Sequence, residues 1–163
     1  MARRAACTAG IILFCAALQF SVLPRAAIGA VEPDLLLAVT VVIALLSGPR
    51  AGMATGFSAG VVEGALLGRW IGVYAGAKTV VGYLAGTSGR RLFAENLAVM
   101  MGAAAVMTLV HEVIFDAFAR PAGLWAMVGK ALGQAAYNAG VALVVGAALR
   151  RIRSLLPPEE VAP

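Results

Sequence analysis

The chain has 163 residues, 61% of them hydrophobic and only 13% charged, with a mean hydropathy of +0.91. Soluble domains carry about one-quarter charged residues, so this composition excludes a soluble globular fold. It points to an all-α integral membrane protein with little mass outside the lipid bilayer. The net charge of +5 does not indicate a nucleic-acid partner, because the basic residues gather at the edges of apolar segments, where they act as topology signals.

Arg3-Arg4 precede an apolar run to about Leu23, which makes the first span. The same pattern, with small residues Gly29-Ala30 beyond it, also fits a cleaved signal peptide. The length of the run and the spans that follow favour an uncleaved anchor. Cys7 and Cys15 share this helix about 12 Å apart along its axis, too far to bridge each other, and they read as small apolar fillers. Pro24 to Glu32 is a loop or a partly embedded segment. Glu32-Pro33-Asp34 then opens a second helix, Leu35–Ser47, with proline and a carboxylate at home in its first turn. From Pro33 to Gly48 it measures about 24 Å, so it spans a thin region, borrows length before the proline, or forms a half-helix. Gly48-Pro49-Arg50 is a tight turn.

Glycine then recurs at every fourth position: Gly52, Gly56, Gly60, Gly64, Gly68, Gly72 and Gly76, with Gly82 and Gly86 following around Tyr83. Small residues at this spacing let helix backbones approach closely in lipid. Each four-residue step drifts about 40° around a helix, so seven steps cannot share one face. The ladder is therefore two helices, Ala51–Leu67 and Trp70–Thr87, broken near Gly68-Arg69-Trp70. A basic turn, Ser88 to Arg91, leads to a fifth helix from Leu92 to about Ala117, which opens on Glu95-Asn96. Arg120-Pro121-Ala122-Gly123 breaks the chain before a sixth span, Leu124–Leu149. The basic tail Arg150–Arg153 follows, giving one polytopic domain over 1–155 and a flexible end over 156–163.

With six spans, the side holding both termini carries Arg3, Arg4, Arg50, Arg90, Arg91, Arg150, Arg151 and Arg153, while the other carries Arg25, Arg69 and Arg120. Eight against three sets both termini in the cytoplasm. Charges inside the spans are costly and mark functional hypotheses. Glu63 and Lys78 lie on antiparallel neighbours and are placed to pair. Glu63 alternatively meets water at the outer interface, or takes part in moving an ion or substrate. His111, Glu112 and Asp116 lie near the outer end of the fifth helix, with Glu112 and Asp116 on one face. Their spacing is not a zinc-binding HExxH, and no metal, cofactor or catalytic group is expected. They read as solvated interfacial groups or partner contacts, and Lys130 as a snorkelling cation.

Three ordered motifs carry a resemblance: Glu32-Pro33-Asp34-Leu35-Leu36-Leu37, Gly56-Phe57-Ser58-Ala59-Gly60, and Lys78-Thr79-Val80-Val81-Gly82-Tyr83-Leu84-Ala85-Gly86. With the overall length and the basic tail, the chain resembles the rod shape-determining MreD family. That family often carries an aspartate at the position of Gly64; here the neighbouring acid is Glu63, about 100° away on the helix. The acidic position at Glu112 does match. The resemblance implies a non-enzymatic scaffold of the cell-elongation machinery in the bacterial inner membrane. Its expected partners are MreC directly, with RodA, the elongation penicillin-binding transpeptidase and MreB in the same complex. The implied fold is similar to the substrate-binding S-component of energy-coupling-factor vitamin transporters, which supplies the competing function. On the scaffold reading, Pro33, Asp34, Phe57, Tyr83 and the ladder glycines pack helices and receive the transmembrane helix of MreC. Glu32, Asp34, Glu112 and Asp116 then face partners outside the membrane. The ladder can equally serve only to pack the chain against itself.

Overall fold

In a computed structural model, residues 2–27, 31–89, 96–119 and 124–155 are described. The basic turn at Arg90-Arg91, the break at Arg120–Gly123 and the tail 156–163 lie outside them. Six α-helices form an up-and-down bundle: α1 Ala2–Ser21, α2 Leu35–Ser47, α3 Pro49–Leu67, α4 Ile71–Gly89, α5 Leu97–Phe118 and α6 Leu124–Leu155. A short 3₁₀ turn, Leu23–Ala26, follows α1, and the described residues contain no strand. The segment Ala6–Arg25, α5, and Val128–Ala148 within α6 are each long and apolar enough to cross a membrane. The glycine and alanine content of α3 and α4 dilutes their hydropathy, although each has 19 residues.

The centre of the bundle is α2, which touches all five other helices. It is apolar on every side, as a helix surrounded by protein must be. Leu36, Leu37, Val39, Val41 and Val42 are all essentially inaccessible. Its 13 residues measure only about 20 Å. That is tolerable because neighbouring helices bury most of its length, from Leu35 to Leu45. Residues 32–34, the proline included, lead into it as non-helical chain.

The ladder does break at residues 68–70. Gly68, with φ of 66°, closes α3 in the left-handed conformation that favours glycine. Trp70 holds φ of 56°, which a bulky side chain adopts only under constraint. At the other end, Gly48 with φ of 87° caps both α2 and α3, and Pro49 starts α3 where no amide donor is needed. The two arms then pack against each other with almost no separation. A methyl group on Gly60 would lie 2.5 Å from the Ala75 Cα, one on Gly64 2.5 Å from the Ile71 Cα, and one on Gly86 2.5 Å from the Pro49 Cα. Gly52 and Gly82 meet backbone to backbone, and Gly56 abuts the carbonyl of Lys78. The antiparallel register pairs 52 with 82, 56 with 78, 60 with 74–75, and 64 with 71.

Two boundaries differ from the sequence expectation. The described part of the fifth helix opens at Leu97, because the Asn96 side chain accepts from the Ala98 amide at 2.9 Å and caps it there. The sixth continues through the basic stretch to Leu155, since arginines are good helix formers and nothing in Arg150–Arg153 breaks the ladder.

Candidate functional site

Helices α1, α3 and α5 finish, and α2, α4 and α6 begin, at the end of the bundle opposite Arg50. The buried charges collect there. Lys78 is completely inaccessible. Its Nζ pairs with Glu63 Oε2 at 2.9 Å and with Asp34 Oδ2. The other oxygen of Asp34 caps α2 by accepting from the Leu37 amide at 2.8 Å. Glu63 Oε1 accepts from Gln19 Nε2 at 3.2 Å, and Gln19 Oε1 in turn accepts from the Leu36 amide at 2.9 Å. On the far side the Asp34 amide donates to Asn138 Oδ1 at 2.8 Å, and Asn138 Nδ2 donates to Thr108 Oγ1 at 3.0 Å.

Gln19 belongs to α1, Asp34 heads α2, Glu63 lies on α3, Lys78 on α4, Thr108 on α5 and Asn138 on α6. One connected polar network therefore joins all six helices. Buried ions are tolerated only when paired and hydrogen-bonded; here both carboxylates pair with Lys78, and each accepts a further hydrogen bond, Asp34 from Leu37 and Glu63 from Gln19. A formal count of one ammonium against two carboxylates still leaves one negative charge over.

Beside it, Glu112 binds Lys130 Nζ through Oε2 at 2.9 Å, and its Oε1 lies 3.5 Å from His111 Nδ1. The imidazole stacks on Phe115 with centroids 5.8 Å apart, and Phe115 packs against Tyr74 at 4.5 Å. Between the two clusters lies a cavity of about 400 Å³, bounded by Asp34, Glu63, His111, Glu112, Lys130 and Gln134, with Arg69 and Trp70 at its mouth. Among the described residues, no group of three or more His, Cys, Asp or Glu side chains is placed to hold a metal ion.

The expected Glu63–Lys78 pair is present, so Glu63 does not simply meet water. Asp34 as the second partner went unseen, as did Gln19, Thr108 and Asn138. The available signal was an amide or carboxylate in an otherwise apolar segment, which in lipid demands a partner. Asp34, His111, Glu112 and Asp116 were expected to be solvated or to face partners; all four are buried, and of the acids expected to face partners only Glu32 is exposed. Lys130 was expected to snorkel, yet it is held by Glu112, with 28% of its side chain exposed. The acid at 63 rather than 64 also finds its reason: Gly64 faces the α4 backbone, while residue 63 faces the cluster.

Among the residues expected to pack helices, Pro33 is buried, and Gly52, Gly56, Gly60, Gly64, Gly82 and Gly86 join α3 to α4. Gly72 and Gly76 have open space beside them, and Phe57 and Tyr83 are 56% and 48% exposed. The family model of the rod shape-determining protein MreD matches residues 2–148 of the chain. No curated protein and no solved structure matches it.

Proposed function

The chain belongs to the MreD family of rod shape-determining proteins, and from that premise we propose that it is a non-enzymatic scaffold of the bacterial cell-elongation complex. It resides in the inner membrane as a multi-pass protein with both termini in the cytoplasm. There it receives the transmembrane helix of MreC and supports peptidoglycan synthesis alongside RodA, the elongation transpeptidase and MreB. The family match carries this reading.

The fold adds support in the outer face of α4. Gly72, Gly76, Val80 and Tyr83 are all exposed, and they lie on one stripe of the helix. The small residues leave open space and the larger ones flank it, which suits close packing of a partner helix through dispersion and shape. The glycines of α3 are already occupied, so MreC meets the Gly72–Gly76 stripe instead.

Two substitutions separate partner packing from self-packing. Gly76→Leu is expected to leave expression and thermal stability in detergent unchanged while MreC is lost on co-purification with the tagged chain. Gly56→Leu is expected to lower the amount of folded protein itself, because its side chain would overlap the backbone at Lys78. Recovery of MreC at normal levels with Gly76→Leu would reject this face. A second reading, the substrate-binding component of a vitamin transporter, draws on the polar cavity alone. Retention of a vitamin through purification is its test.

A further inference from the structure

We infer that the cavity between the two ion clusters is a binding site for an organic cation, a primary ammonium or guanidinium group. The inference stands on the cavity's own chemistry and does not depend on MreC. Three carboxylates, Asp34, Glu63 and Glu112, face two ammonium groups, Lys78 and Lys130, while Glu32 and Arg69 at the mouth offset each other. Counted as ionised, these groups carry one negative charge more than the protein's cations balance, in a setting where unpaired charge is costly.

The unfilled hydrogen-bond positions have the matching sense. Gln134 Oε1 and both ring nitrogens of His111 are buried without a hydrogen-bond partner among the described residues, and their residues are 9% and 3% exposed. Nδ1 of His111 lies 3.5 Å from Glu112 Oε1, and the uncharged ring carries one N–H and one lone pair. Gln134 Oε1 and the unprotonated ring nitrogen can only accept, so an occupant that reaches them must donate.

The remaining wall is aromatic. Trp70, Tyr74 and Phe115 border the cavity, and ring faces attract cations. Trp70 is held there with φ of 56°, a strained conformation of the kind found where a side chain lines a site. At about 400 Å³, the space falls within the range of small-molecule sites, roughly 300–1,000 Å³.

The test uses the full chain in detergent, with agmatine as the probe and succinate as its anionic counterpart. Agmatine is expected to raise the unfolding temperature saturably and succinate not to. Gln134→Leu and His111→Phe are each expected to weaken agmatine binding about tenfold, the loss typical of a hydrogen bond to a charged group. Should either variant fold poorly, Trp70→Gly serves in its place, since glycine accepts the left-handed backbone and removes only the aromatic wall. It too is expected to weaken binding.

No saturable shift with agmatine, an equal shift with succinate, or unchanged affinity in every folded variant overturns the site and leaves a solvent-filled cavity. The source of the natural cation is read by native mass spectrometry of protein taken directly from membranes. A small-molecule adduct displaced by agmatine indicates a free ligand. Agmatine binding to the isolated chain, but not to the chain purified with its partners, indicates a side chain presented by one of them.

Discussion

Lys78 shows how much a single buried side chain holds together. It is inaccessible and lies between Asp34 and Glu63, whose side chains are themselves 6% and 7% exposed. Lys78→Met would leave both carboxylates buried without their cation, and removing one partner of a buried pair costs about 3–5 kcal/mol. The expected result is a markedly lower unfolding temperature in detergent and reduced accumulation in membranes. Adding Asp34→Asn and Glu63→Gln to the same chain should recover a large part of that loss, because neutral amides tolerate burial better than unpaired carboxylates. A triple variant no more stable than Lys78→Met would show that packing rather than charge sets the cost. Of this cluster, the sequence revealed the Glu63–Lys78 pair, since the two residues flank one turn. Asp34 and Gln19 were not legible as members. Each lies 44 residues from its ionic or amide partner, and only the tertiary fold brings those positions together.

At the scale of elements, the α3–α4 hairpin was the most legible part of the chain, for a geometric reason. Period four drifts around a 3.6-residue helix, so the run of glycines had to be broken, and Gly68 is where the left-handed cap falls. Gly68→Ala is expected to destabilise the protein by about 1 kcal/mol, the cost of forcing a β-carbon into that conformation. Trp70→Gly should act in the opposite direction on the unliganded protein by a similar amount, because Trp70 carries the same kind of penalty. Thermal unfolding of the two variants side by side checks both signs. The face of each helix was harder to read. Small-residue spacing describes internal and external packing equally well, and only the register with α4 shows that the α3 glycines are spent inside. The role of α2 was similarly hidden. A short, uniformly apolar helix is compatible with a half-span or a central core, and its contacts with every other helix decide for the core.

For the whole molecule, the distribution of charge makes a stronger statement than any one motif. All the buried ion pairs among the described residues lie at the end of the bundle opposite Arg50. On the proposed orientation, set by the arginine bias of the loops, that end faces away from the cytoplasm, and the occupant proposed for the cavity would come from outside the cell membrane. Native Cys7 is exposed and Cys15 buried, so both are replaced by alanine before a reporter is introduced. Arg69→Cys, in the exposed turn beside the cavity, should then react with a membrane-impermeant maleimide in intact spheroplasts. Arg50→Cys, exposed at the other end, should react only after the membrane is opened. The reverse pattern would invert the bundle, turn the cavity towards the cytoplasm and remove the access that an external ligand requires. Equal labelling of both would deny that α3, which lies between them, crosses the membrane. That outcome matters because α3 and α4 fall short on hydropathy, so their proposed transmembrane placement rests on packing against the apolar spans rather than on their own composition.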